Sequence, residues 1–299
     1  MDRWSGGASR SALPACWMRR GALVLTLTLT LALALAACGG GGDGPSVSNL
    51  TATNAAFGRS MTLTISGSGL DAPDIALEVD GPCKDPTRTV STLGYQTAWT
   101  CAVEGVGRLV ARVRDGAGQE LGRVQLDVPV PQVAFTVAQG SRSGSFTVEL
   151  DPVAAPVTAL NFLRYVNAGF YNQTIFHRVL PGAIAQGGQY LADKSLRTTN
   201  LAPIELESNN GLKNLRGTIA MARTSVPNSA TAQFYLNLSD NPEFDYVDDT
   251  QPGYAVFGRV VSGLEVVDEI GKVETYVYSL QLLALPRQDV LIRAATQLR

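Results

Sequence analysis

Phe176-His177-Arg178-Val179-Leu180-Pro181-Gly182-Ala183-Ile184-Ala185-Gln186-Gly187-Gly188 places the one histidine of this 299-residue chain beside an arginine. Successive side chains on an extended backbone point to opposite faces, so His177 and Arg178 are expected to face opposite ways. A buried, hydrogen-bonded structural role suits His177. Arg178 taken alone would more often be solvated or ion-paired than functional, so the sequence around it has to decide. A Ser-His-Asp hydrolase would have to use His177, and no nucleophile elbow accompanies it. With four cysteines (Cys16, Cys38, Cys83 and Cys101) and one histidine, no His- or Cys-rich metal cluster can be assembled. We expect no metal and no cofactor.

Upstream, residues 133–138 and 145–150 read as strands, separated by Gly- and Ser-containing turn residues. Residues 154–168 read as a helix, with Val157, Leu160, Phe162, Leu163 and Val166 at helical spacing and Gly169 as the stop. Pro129 and Pro131 disfavour continued strand pairing and mark a linker. Before it, Met61-Thr62-Leu63-Thr64-Ile65 and residues 109–114 alternate with period two, Asp115-Gly116 marks a turn, and residues 122–128 return. Short strands with Gly-rich turns predict a small β-sandwich over 47–130. Residues 64–70 resemble the immunoglobulin-like domains of bacterial surface proteins. Cys83 and Cys101 are expected to form a disulfide there, as suits a small domain in an oxidising compartment. Neither lies in a Cys-x-x-Cys pattern, so no redox chemistry is assigned to them.

The bulk numbers fit a globular chain with a core: 45% hydrophobic and 17% charged residues. A net charge of -2 without a basic run gives no footprint for nucleic acid. At the N-terminus, Arg19 and Arg20 precede an uncharged run over 21–37, which reads as a secretory signal. The run falls short of the ~20 apolar residues that span a bilayer. Residues 1–17 are long for such a leader, and Met18 is the expected translation start. Leu35-Ala36-Ala37-Cys38 resembles the bacterial lipobox, which implies cleavage before Cys38 and its lipidation. Several acyl chains on one residue hold a protein to a membrane where a single chain would not. Gly39 in place of Asp suits outer-membrane sorting, so the expected location is the cell envelope, facing the periplasm. The organisation expected is a signal peptide over 1–37, lipidated Cys38 with a flexible tether over 38–46, the sandwich over 47–130, and a second unit over 131–299.

That second unit carries more than the opening stretch. Asn210-Gly211-Leu212, residues 216–223, residues 229–235 and Gly253-Tyr254-Ala255-Val256-Phe257-Gly258-Arg259-Val260 follow it in order. Together these blocks resemble the cyclophilin-type peptidyl-prolyl cis-trans isomerases, in particular bacterial periplasmic ones. The resemblance implies a mainly β fold: an eight-stranded antiparallel barrel closed by two helices, with 262–270 as the second helix and 289–296 as a closing strand. It implies isomerisation of X-Pro bonds in exported or envelope proteins by a monomer. Arg178 would be the donor to the prolyl nitrogen, and Gln186 the residue that orients it and binds substrate backbone.

Ala183, Ile184, Ala222, Gln233, Tyr235, Phe244, Asp245 and Tyr254 fall at substrate-binding positions of the family. Phe244 and Tyr254 there imply weak cyclosporin binding. Ala183 stands where the family has a phenylalanine, and Asp245 where an apolar residue closes the proline slot. Both departures imply altered proline affinity in a wetter slot. They also keep open a second reading, a non-catalytic module that holds proline-containing segments as a chaperone. Phe234 and Phe257 read as core, and Glu205 and Glu207 as a solvated face.

Overall fold

A computed structural model describes residues 44–90 and 94–299. The expected signal, Cys38, the start at Met18 and most of the tether lie outside these residues.

The described residues open with seven strands: β1 (Ser46–Thr53), β2 (Ser60–Ser68), β3 (Ala76–Asp80), β4 (Cys83–Val90), β5 (Gln96–Val103), β6 (Gly107–Arg114) and β7 (Glu120–Val128). They form two antiparallel sheets, ordered β1-β2-β5-β4 and β3-β6-β7. Alternation does what the pattern predicts. Met61, Leu63 and Ile65 of β2 and Leu109, Ala111 and Val113 of β6 all point into one core. A disulfide joins Cys83 to Cys101 across the adjacent strands β4 and β5, with Cα atoms 5.5 Å apart. The Arg88 guanidinium lies over Trp99 and donates to the carbonyls of Leu70, Ala72 and Ile75, so its charge is matched by backbone dipoles.

β7 ends before Pro129, and the next strand begins after Pro131. Eight strands then close a barrel: β8 (Gln132–Gln139), β9 (Arg142–Leu150), β10 (Thr174–Leu180), β11 (Ile184–Leu191), β12 (Thr218–Met221), β13 (Phe234–Asn237), β14 (Val256–Ser262) and, after the short strands β15 (Thr275–Tyr276) and β16 (Leu285–Pro286), β17 (Val290–Gln297). Their order around the barrel is β10-β11-β13-β12-β14-β9-β8-β17. Among the described residues the two α-helices are α1 (Pro156–Asn167) and α2 (Leu264–Ile270). Aromatic rings fill the interior. Phe135 stacks on Phe146 with centroids 4.8 Å apart, and Phe162 of α1 meets Phe234 edge-on and Phe257 at 5.0 Å. Phe234 and Phe257 are thus core, as read. Gly188 has φ +100°, and a Cβ there would sit 2.9 Å from the Phe234 ring. Only glycine lets β11 pass this closely over the aromatic core.

One sequence reading needs correction here. Glu207 is not a solvated side chain. Helix α1 opens on Pro156 with no cap from Ala155. The Glu207 carboxylate accepts instead from the backbone N–H groups of Val157 (3.1 Å) and Thr158 (2.7 Å) and from the Thr158 hydroxyl (2.7 Å). It satisfies orphan donors at the positive end of the helix dipole from some fifty residues away. Glu205 is exposed, as expected.

The sandwich and the barrel touch. Gly58 lies against Leu160 and Leu163 of α1, the Gln297 side-chain amide of β17 donates to the carbonyl of buried Phe57 at 2.9 Å, and Arg299 donates to the Val130 carbonyl.

Candidate active site

Arg178 owes its direction to an irregularity. In the ladder, Phe176 opposes Gly187 while Arg178 opposes Gln186, so two residues of β10 match one of β11 and His177 is the extra one. This is a β-bulge, which re-aims the side chains that follow it. Without it, Phe176 and Arg178 would share a face. With it, Phe176 and Val179 enter the barrel core, while Leu180 joins a separate cluster on the outer wall. Arg178, half-buried, lies between them in the chain and faces outward with Leu180.

On that outer wall one row of paired residues crosses five strands: Arg178 beside Gln186, Gln186 beside Tyr235, Tyr235 beside Ala220, and Ala220 beside Val256. At its apolar end, Ile184, Ala220, Tyr235 and Val256 are buried against Leu180, Leu212, Ala222, Phe244 and Tyr254. Tyr235, Phe244 and Tyr254 form a triangle of edge-on rings with centroids 5.4–5.9 Å apart. At its polar end Arg178 Nη1 donates to Gln186 Oε1 (3.1 Å), and Gln186 Nε2 donates to Gln233 Oε1 (2.9 Å). Among the described residues no carboxylate pairs with Arg178, and Gln186 is its one hydrogen-bond acceptor. A fixed cation therefore stands beside an apolar cluster, with donors left for a ligand.

His177 is buried, as expected, with its ring 4.5 Å from Tyr190, and its Nδ1 has no hydrogen-bond partner among the described residues. Burial, and after it the neighbouring Arg178 charge, push its pKa down to about 4. The imidazole is neutral at pH 7.

Asp245 differs from its reading as a group that wets the slot. Its Oδ1 accepts from the backbone and side-chain amides of Asn214 (2.7 and 3.1 Å), and Lys213 lies 3.7 Å from the other oxygen. Asn214 Oδ1 in turn accepts the Tyr235 hydroxyl at 2.8 Å. Burial raises the Tyr235 pKa, so the phenol stays protonated and donates. The tyrosine hydroxyl and the aspartate, each unusual alone, are thus two ends of one network. Ala183 sits in the β10–β11 turn, where its carbonyl accepts from Leu238 N and Asn241 Nδ2. Its methyl is not part of the apolar cluster.

The structure brings Ile184, Ala222, Tyr235, Phe244 and Tyr254 together, brings Arg178, Gln186 and Gln233 together, and sets Ala183 and Asp245 at the margin. Sequence reading missed Leu180, Ala220 and Val256. Each lies two residues from a residue that was singled out, and extending the period-two spacing of the adjoining strands could have found them. Arg223 was also missed. It lies 4.6 Å over Tyr254 and donates twice to the Gly253 carbonyl, which fixes the loop that carries that ring. Leu212 belongs to the Asn210-Gly211-Leu212 block but was not singled out as a site residue, and for Asn214, on the same irregular loop, no sequence signal exists.

The family model for "cyclophilin type peptidyl-prolyl cis-trans isomerase/CLD" matches residues 133–296. The chain belongs to this family. The cyclophilin segment is similar to peptidyl-prolyl cis-trans isomerase A of Dickeya dadantii (52% identity over 133 residues, 44% of this chain and 69% of that protein). It is likewise similar to the peptidyl-prolyl cis-trans isomerase of Acinetobacter baylyi (48% over 149 residues, 50% and 78%) and to peptidyl-prolyl cis-trans isomerase B of Escherichia coli (44% over 155 residues, 51% and 93%). The protein is therefore a cyclophilin-type peptidyl-prolyl cis-trans isomerase that carries a β-sandwich ahead of its catalytic barrel.

Proposed function

We propose that Arg178 is the catalytic residue and that it acts on the prolyl nitrogen. Amide resonance opposes rotation of the X-Pro bond with a barrier of ~18–20 kcal/mol. The cis and trans forms themselves differ by only about 0.5–1 kcal/mol at proline, so the task is to lower a barrier. As the bond twists, the nitrogen loses conjugation and regains a lone pair. A donor aimed there binds the twisted form better than either planar one, which is the differential binding that accelerates a step. Arg178 has the free donors, Ile184, Tyr235, Phe244 and Tyr254 supply an apolar face for a proline ring, and Gln186 both orients the guanidinium and reaches substrate backbone. The observation that carries this reading is an arginine without a carboxylate partner, held by a glutamine at the lip of an apolar cluster.

A protease-coupled assay on X-Pro peptides tests it. Arg178→Ala is expected to lower kcat/KM on the order of a hundredfold, as loss of one preorganised donor does. Equal rates for variant and wild type would refute Arg178 as the catalytic residue.

We further propose that the substrates are X-Pro segments of exported proteins, and that the protein works as a monomer tethered through lipidated Cys38 and facing the periplasm. The 21–37 run and the Leu-Ala-Ala-Cys motif support this. Fatty-acid labelling that is equal in wild type and Cys38→Ser would refute the tether.

A further inference from the structure

The hydrogen bonds that start at Arg178 do not stop at Gln233. Gln233 Nε2 donates to Gln189 Oε1 at 2.8 Å, and Gln189 Nε2 donates to the Arg197 carbonyl at 3.3 Å. Three side-chain amides thus stand in series between a guanidinium and a backbone carbonyl. A guanidinium only donates and a carbonyl only accepts. The two ends therefore dictate the orientation of all three amides, each turning its oxygen toward Arg178 and its NH2 away. Reversing any one of them would set donor against donor on one side and acceptor against acceptor on the other. The far end is fixed in its turn. The Arg197 guanidinium lies over Phe170 and donates to the Phe170 and Asn172 carbonyls at 2.6 and 2.7 Å. Aligned amides polarise one another, so the oxygen presented to Arg178 is more negative, and less free to turn, than that of a lone glutamine.

We propose that Gln189 is a positioning residue for the isomerase reaction: it acts through Gln233 and Gln186 to hold Arg178 in its working orientation, with the Arg197 loop as the anchor of the chain. This rests on the reading of Arg178 as the catalytic donor. Gln189 touches neither the apolar slot nor Arg178, so its loss should leave substrate affinity alone and slow the turnover step.

Steady-state kinetics on an X-Pro peptide, with thermal melting as a control for folding, test this in four variants. Gln189→Leu keeps the volume and removes the acceptor; it is expected to lower kcat about fivefold, the size of coupling common within one network, with KM and melting temperature little changed. Gln189→Glu keeps an acceptor for Gln233 and is expected to hold kcat within about twofold of wild type. Adding Gln189→Leu to Arg178→Ala should change nothing further, because the group being positioned is gone. If Gln189→Leu matches wild type, raises KM in place of lowering kcat, or slows the Arg178→Ala enzyme by the same factor, the positioning role is refuted while a large Arg178→Ala effect stands. If Arg178→Ala itself matches wild type, the underlying reading falls with it.

Discussion

A single inserted residue, His177, decides where Arg178 points. The motif around both residues was plain in the sequence, but the bulge was not, because simple alternation predicts the same two opposed faces for 177 and 178 whichever of them is extra. What alternation gets wrong is the relation of Arg178 to Phe176, and that depends on ladder register, which local sequence does not encode. The buried imidazole carries a testable signature. Its pKa is about 4 in the folded chain and about 6.5 unfolded, so the unfolded state binds the extra proton between those values. Its neutral form supports folding fully above pH 6.5, and that contribution is lost as pH falls toward 4. Denaturant titrations of wild type and His177→Gln should therefore diverge across pH 4–6.5, with wild type losing up to about 3 kcal/mol more than the variant. Parallel pH profiles would contradict the buried neutral state. The Asp245 network was likewise hidden. Sequence showed a misplaced carboxylate and an added hydroxyl, but their common partner, Asn214, lies on a loop without periodicity. Replacing the carboxylate with an apolar side chain, Asp245→Leu, should destabilise the fold by about 1–3 kcal/mol, since it orphans two Asn214 donors, and urea denaturation would show it.

At the level of elements, strands and helices were largely legible because each has a face in the core. Helix α1 shows it: Leu160, Leu163 and Val166 set its period, and Gly169 follows its end. Its beginning was not legible, since the group that caps it comes from Glu207, well beyond any local window. Glu207→Ala removes three hydrogen bonds and a favourable charge at the helix start. We expect a loss of about 1–2 kcal/mol in chemical denaturation, with Glu207→Gln losing less because it can still accept. A variant as stable as wild type would show that the cap contributes nothing. The small sheet of β15 and β16 was also missed. Its strands have two residues each, too short for any periodicity, and they are positioned by packing of Leu282 and Leu285 on Ile175.

Taken whole, the molecule stacks an all-β module on a catalytic barrel, and the proline pair between them was the readable punctuation. Their contact was not readable, because Phe57, Gly58, Leu163 and Gln297 meet only after both units have formed. The disulfide closes a loop of 18 residues within the sandwich and lies on no strand of the active wall. Cys83→Ser with Cys101→Ser should lower sandwich stability by about 3 kcal/mol while leaving kcat/KM within about twofold of wild type. A collapse of activity at temperatures where the chain stays folded would mean that the two halves are coupled in catalysis.

Strand β17 also imposes an order in time. It comes later in the sequence than β8 and β10, yet it is the one that pairs with both and reaches across to Phe57. Until it arrives, β8 and β10 present open edges, and the neighbouring module can finish while its companion waits. While the chain is being made, the isomerase barrel therefore stays open along this seam until β17 has emerged.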